Sequence, residues 1–237
     1  MTPVFLYIHA MKYRFLLFDA DNTLLDFDEN ERVSILNTFA HLGLPCTEET
    51  LRLYHDINLM YWNMMAEGRI GRDELLTKRF ETLFERTGIK GDPVETEDFY
   101  RIQLGMGHQL VPGALELCRS LYGKYRLFII TNGVARTQHE RLEASGLAQY
   151  MEKLFISEEI GYNKPERGFF LHVEKAIEGF DPASALVIGD GLSSDIKGGA
   201  DFGMDTCWLN IYNEENTSEI RPTYEIRDIV ELKGILG

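Results

Sequence analysis

The chain has 237 residues, 44% hydrophobic and 26% charged, a balance typical of a globular protein with room for one large domain or a core plus a smaller insert. Its formal net charge of −14 argues against nucleic acid and anionic membranes, which need basic patches, and no apolar run reaches the ~18 residues of a membrane span. Cys46, Cys118 and Cys207 are widely spaced and form no C-x-x-C pair, so they read as reduced thiols of a cytoplasmic protein rather than as a disulfide frame or a zinc site.

Met1–Ala10 is mildly apolar, lacks a basic start and is too short for a secretory signal; it reads as an N-terminal extension. Phe15-Leu-Leu-Phe18 follows as a buried strand that runs into Asp19-Ala-Asp21 and a turn on Asn22 and Thr23. Residues two apart in a strand share a face, and in open α/β sheets the ligand crevice lies at the carboxyl ends of the strands. Two carboxylates placed there repel unless a cation lies between them or one holds a proton. From about Asp28 to His108 there is no convincing strand, and apolar residues recur at helical spacing: Val33, Leu36 and Ala40, then Leu51, Tyr54 and Ile57, then Leu76, Phe80 and Leu83. Thr47-Glu-Glu-Thr and Thr96-Glu-Asp read as helix starts, and Gly43, Gly68, Gly71 and Gly88 as stops. The pattern predicts a four-helix domain over 28–108, inserted after the first strand of a core formed by 11–27 and 109–237, with Val111-Pro112-Gly113 marking the return.

Beyond that turn, short apolar runs alternate with helical patterns. Arg126–Ile130 leads to Thr131-Asn132-Gly133 and a helix over 134–145; Lys153–Ile156 is a shorter strand. Ala185–Ile188 leads to Gly189-Asp190 and a helix from Ser193 or Ser194 toward Phe202; Asp205–Leu209 and an edge strand at Tyr224–Ile226 close the series. This alternation predicts an α/β fold with a Rossmann-like parallel sheet, and the continuously apolar strands predict helices on both faces.

Four segments then place polar groups at or just beyond predicted strand ends: Asp19 and Asp21, Thr131 and Asn132, Lys164 before Pro165, and Asp190 followed by Asp195. Each has a plain structural reading on its own, as a cap, a loop lysine, a turn or an acid in a first helical turn. Together they would meet at one edge of the sheet. A carboxylate ionised at neutral pH can attack phosphorus without a base, forming an aspartyl-phosphate. Mg²⁺, which prefers oxygen ligands, would offset the repulsion between that carboxylate and a phosphate, with Asp19 and Asp190 as its natural pair. Lys164 and the Thr131 hydroxyl would bind phosphate oxygens, and Asp21 is spaced to serve as acid and then base.

Asp19-x-Asp21-x-Thr23, Thr131, Lys164-Pro165 and Gly189-Asp190-x₄-Asp195 resemble the four motifs of the haloacid dehalogenase-like (HAD) hydrolases, in order and over almost the whole chain. The resemblance implies Asp19 as nucleophile, Asp21 as acid/base, and Thr131 and Lys164 as phosphate binders, with Asn132 beside them. It also implies Mg²⁺ held by Asp19, the carbonyl of Asp21 and Asp190, with Asp195 acting through water or by orientation, and an α-helical cap in the insert. Phe18–Phe27, Ile130-Thr-Asn-Gly133, Ser157-Glu-Glu-Ile-Gly161 and Thr206-Cys-Trp-Leu-Asn210 further resemble the YjjG/YfnB-type subgroup, which implies a pyrimidine nucleoside 5′-monophosphatase. Phe27, Tyr61, Trp62 and Arg69 are the candidates for contacting the substrate from the cap, since aromatics stack on a base and arginine binds polar edges. The competing expectations are a sugar-phosphate phosphatase or phosphoglucomutase, a metal-free 2-haloacid dehalogenase, and a non-catalytic protein that binds a phosphorylated ligand.

Overall fold

The computed structural model describes residues 12–237, so the expected extension over Met1–Ala10 lies outside the described residues. Six strands, β1 (Phe15–Phe18), β2 (Arg126–Thr131), β3 (Lys153–Ile156), β4 (Ala185–Gly189), β5 (Asp205–Leu209) and β6 (Tyr224–Ile226), form one sheet in the order β3-β2-β1-β4-β5-β6. Every neighbouring pair is parallel. Strand order reverses at β1, which pairs with β2 on one side and β4 on the other. The crevice beyond β1 and β4 is therefore the topological switch point where open α/β sheets bind ligands.

Between β1 and β2 lie α1 (Phe27–Leu42), α2 (Glu48–Ala66), α3 (Arg72–Thr87), α4 (Pro93–Met106) and α5 (Ala114–Leu121). The first four share a hydrophobic core of their own, built on Phe39, Tyr54, Phe80, Leu83 and Tyr100. Asp26 caps α1, Thr47 caps α2, and Gly43 and Gly88 terminate α1 and α3 in the left-handed conformation. Two sequence readings are corrected here. Helix α4 starts at Pro93, with Asp92 accepting from Val94 and Glu95, and Thr96 lies inside its first turn, bonding back to the Asp92 carbonyl. Pro is pre-shaped for a first helical turn and Asp is a strong N-cap, and together these outrank the Thr-Glu-Asp signal. Gly71 is not a stop but the N-cap position of α3.

The later helices are α6 (Ala135–Ala144), α7 (Ser157–Ile160), α8 (Arg167–Ala176), α9 (Lys197–Asp201) and α10 (Leu232–Leu236). Leu16 and Phe18 of β1 pack on one side of the sheet with Leu117, Leu142 and Leu232, whereas Phe15 and Leu17 pack on the other with Phe169, Phe170 and Val173. Both faces are covered, which is why the strands are apolar at every position. The cysteines are free thiols, and no described helix is long and apolar enough to cross a membrane.

Candidate active site

Asp19 directly follows β1, its backbone N–H donating to the Ile188 carbonyl of β4 at 2.8 Å. Its buried carboxylate accepts from Lys164 Nζ at 2.5 Å. The same ammonium donates to Asp195 at 2.6 Å and to the Ile130 carbonyl at 2.8 Å, so all three of its protons are used. Asp190 completes the group: carboxylate oxygens of Asp19, Asp190 and Asp195 lie within 4.8 Å of one another. Three carboxylates face one ammonium. Burial, then the nearby charges of Asp195 and Asp21, push the Asp19 carboxyl up to about 7 against the opposing pull of Lys164. Burial, then Asp19 and Asp195, also raise Asp190 well above the ordinary carboxylate range. Burial pulls Lys164 down, but Asp19 and Asp195 outweigh it and hold the ammonium above the usual lysine value. An all-oxygen, over-negative cluster of this kind is a donor set suited to a hard divalent cation.

The loops that carry these groups are tightly built. After β4 the chain enters a wide π-type turn at Leu192–Ile196, a geometry frequent at functional sites, and Asp195 folds back to accept from the Gly191 N–H at 3.1 Å. That close approach requires Gly189, where a Cβ would stand 2.4 Å from Asp195 Oδ2. The Trp208 indole of β5 fixes the Asp190 carbonyl at 2.8 Å. Across the crevice, the Thr131 hydroxyl oxygen accepts from the Gly133 N–H and from Gln138, each at 3.0 Å, which leaves its own proton to donate. The side chain of Asn132, expected to bind phosphate, is committed elsewhere. Its amide brackets Lys164, donating to the carbonyl at 2.9 Å and accepting from the N–H at 2.8 Å, so it positions the lysine loop.

Asp21 does not face Asp19 freely. Gln138 donates to its carboxylate at 2.6 Å, and Arg141 makes an ion pair with it while also donating to the Gly107 carbonyl. Gln138 and Arg141, both buried on α6, were missed in the sequence because polar residues on a helix read as a solvated face. Each keeps one buried polar atom without a partner, Gln138 Oε1 and Arg141 Nη2.

These groups form the floor of a cavity of about 250 Å³ that extends up between α1, α2, α3 and α4. Phe27 and Trp62 line it. Tyr61 and Arg69 are not among its lining residues, which corrects the expectation for both. Tyr61 is one helical step from Trp62 and so points into the helical core, bonded to Thr82 at 2.8 Å, and Arg69 is exposed and pairs with Glu67. The cavity instead recruits Glu31, His55, Asn58 and Arg79. Asn58 donates to Glu31 at 2.6 Å and accepts from Arg79 at 2.8 Å; His55 meets Glu31 at 2.8 Å, and Arg79 donates to Glu97 at 2.7 and 3.1 Å. Two contacts tie the helices to the sheet edge: Arg72 of α3 donates to the Asn132 carbonyl, Ser157 and Asn163, and Tyr212 donates to Asp28 of α1 at 2.5 Å.

A family model for haloacid dehalogenase-like hydrolases matches residues 13–203. The chain is 41% identical over 226 residues to the HAD-hydrolase YfnB of Bacillus subtilis (strain 168), covering 95% of this chain and 96% of YfnB. It is 36% identical over 227 residues to the pyrimidine 5′-nucleotidase PynA of Streptococcus pneumoniae, covering 95% and 96%. With the pyrimidine 5′-nucleotidase YjjG of Escherichia coli (strain K12), identity is 32% over 226 residues, 95% of this chain and 99% of YjjG. A magnesium-bound crystal structure of YfnB superposes with a TM-score of 0.92 over 95% of this chain and 99% of that one. With its motifs gathered at the switch point of the sheet, the chain belongs to the haloacid dehalogenase-like hydrolases.

Proposed function

We propose that this protein is a Mg²⁺-dependent phosphomonoesterase that hydrolyses pyrimidine nucleoside 5′-monophosphates through an aspartyl-phosphate on Asp19. The observation that carries this reading is the convergence of Asp19, Asp190, Asp195 and Lys164 at the floor of a cavity whose upper walls belong to the inserted helices. The names of PynA and YjjG support the nucleotide class.

Asp19 and Asp190 would hold Mg²⁺, with Asp195 orienting the site; when bound, the ion supplies positive charge that offsets the repulsion between carboxylate and phosphate. One Asp19 oxygen attacks phosphorus while Lys164 and the Thr131 hydroxyl bind the developing charge on the phosphoryl oxygens. The ester oxygen leaves with a proton from Asp21, which then takes a proton from the water that opens the aspartyl-phosphate. For this the Asp21 carboxyl must leave Gln138 and Arg141, at least in part, and turn toward the leaving oxygen. The helices α1–α4, taken as the cap domain over 28–108, close the cavity above the reacting atoms and exclude bulk water.

The test is phosphate release from a panel of nucleoside monophosphates, sugar phosphates and 4-nitrophenyl phosphate, with and without EDTA, together with a bisphosphate-primed mutase assay. The expected result is release from pyrimidine nucleotides above all other members, abolished by chelation and by Asp19→Asn. Preference for a sugar phosphate, or activity indifferent to EDTA, would overturn the nucleotidase reading or the metal-dependent scheme respectively.

A further inference from the structure

The upper end of the cavity holds a buried polar chain in a place where helices normally pack apolar side chains. Glu31, Asn58 and Arg79 are each almost fully buried, and each lines the cavity. Arg79 can only donate and an ionised Glu31 can only accept, so the Asn58 amide between them has one allowed orientation: Oδ1 toward Arg79, Nδ2 toward Glu31. A primary amide has two donor hydrogens and two acceptor lone pairs. The network uses one of each. One N–H and one lone pair of an amide held in this plane remain for a ligand.

The charges of this chain are spent internally. Arg79 is neutralised by Glu97, and His55 by Glu31. Among the described residues of α1–α4 that line the cavity, no other cation is available to a carboxylate or a second phosphate. The subsite therefore suits a neutral group with an adjacent donor and acceptor, and the aromatic walls from Phe27 and Trp62 suit a flat ring. A pyrimidine base has both properties.

We propose that Asn58, oriented by Glu31 and Arg79, reads the base of the substrate: its free N–H donates to a ring carbonyl while Oδ1 accepts from the adjacent ring N3–H of uracil. This rests on the nucleotidase reading and names the residue that confers its specificity. Glu31 and Arg79 are positioning residues for that amide.

The test uses the full-length chain with Mg²⁺ and two substrates that differ at one atom, uridine 5′-monophosphate and N3-methyluridine 5′-monophosphate. The methyl group removes the donor and blocks the edge without altering the phosphate. The wild-type protein is expected to prefer the unmethylated nucleotide by at least ~30-fold in kcat/KM, mainly through KM. Asn58→Leu should compress that ratio to below ~3-fold, and Glu31→Gln, which permits the amide to turn over, should give an intermediate ratio. Equal use of both nucleotides by the wild-type protein overturns the assignment of Asn58, even if neither variant folds. So does a ratio unchanged in Asn58→Leu. If 4-nitrophenyl phosphate is hydrolysed but uridine 5′-monophosphate is not preferred over it, the nucleotidase reading itself fails, and this proposal falls with it.

Discussion

The cavity joins two buried ionic clusters of opposite design. At the sheet edge, the three carboxyl groups of Asp19, Asp190 and Asp195 share one ammonium, and burial with mutual repulsion opposes the ionisation of Asp19 and Asp190. Among the helices, Glu31 and Glu97 are matched by His55 and Arg79, with Asn58 as a neutral bridge. In a balanced buried network, loss of any one partner leaves an uncompensated charge and costs stability. An unbalanced one is a poor way to hold a fold together and a good way to hold a cation and an anionic substrate. The comparison separates the residues to which the proposed reaction assigns chemistry from those that shape the cavity above them.

Asp19→Asn gives the largest expected effect. Phosphate release should fall by at least ~10⁴-fold. The protein should unfold no more easily for it, because Asn keeps an oxygen for Lys164 and removes a charge that burial disfavours. The sign follows from the raised carboxyl: its folded value of about 7 lies above the ordinary 3.8, so the ionised form opposes folding increasingly as pH rises through that window. Thermal unfolding without divalent cation, at pH 7, checks this; a marked fall in midpoint would show that both clusters are structural.

Arg79→Ala should do the reverse, lowering stability by up to about 3–5 kcal/mol because it leaves the buried Glu97 carboxylate with only the partly exposed Arg101, 3.5 Å away. Urea unfolding measures this, and an unchanged midpoint would break the contrast. Mg²⁺ should then sharpen it: at about 100 times its Kd, the ion should stabilise the wild-type fold by ~2.7 kcal/mol. Asp190→Asn should remove most of that gain, whereas Arg79→Ala should keep it, as read by thermal midpoints with and without the ion.

The smallest effect concerns His55, which its hydrogen bond to Glu31 raises to about 9. A folded value above the unfolded 6.5 contributes stability that is complete below pH 6.5 and lost as pH rises through 9. With the imidazole nearly half exposed, the amount is under about 1 kcal/mol. His55→Gln should flatten stability over that window in urea titrations, and an identical pH profile would remove His55 from the balanced network.

Much of the sheet-edge site was legible in the sequence because parallel strands necessarily bring their carboxyl ends together: Asp19 lies just after β1, Thr131 at the end of β2, and Asp190 just after β4. The helical cluster was not. Glu31, Asn58, Arg79 and Glu97 occupy helix positions where charged residues ordinarily face water, and only the packing of four helices turns them inward. Neighbours on α2 show the limit most sharply. Tyr61 and Trp62 are equally aromatic, yet the ~100° turn between consecutive helical residues sends one into the core and the other to the cavity. Asn132 was placed correctly at a strand end, but its amide serves the lysine loop, a partnership 32 residues away in sequence.

Arg72 gives the molecule one more property. A single guanidinium nitrogen at the start of α3 reaches three acceptors: the carbonyl of Asn132 next to Thr131, the hydroxyl of Ser157 at the start of α7, and the amide oxygen of Asn163 next to Lys164. The inserted helices and the sheet edge thus share a joint distinct from the covalent linkers. A shift of the start of α3 would therefore pull directly on the sheet edge, which couples the inserted helices to the site through a residue outside the proposed chemistry.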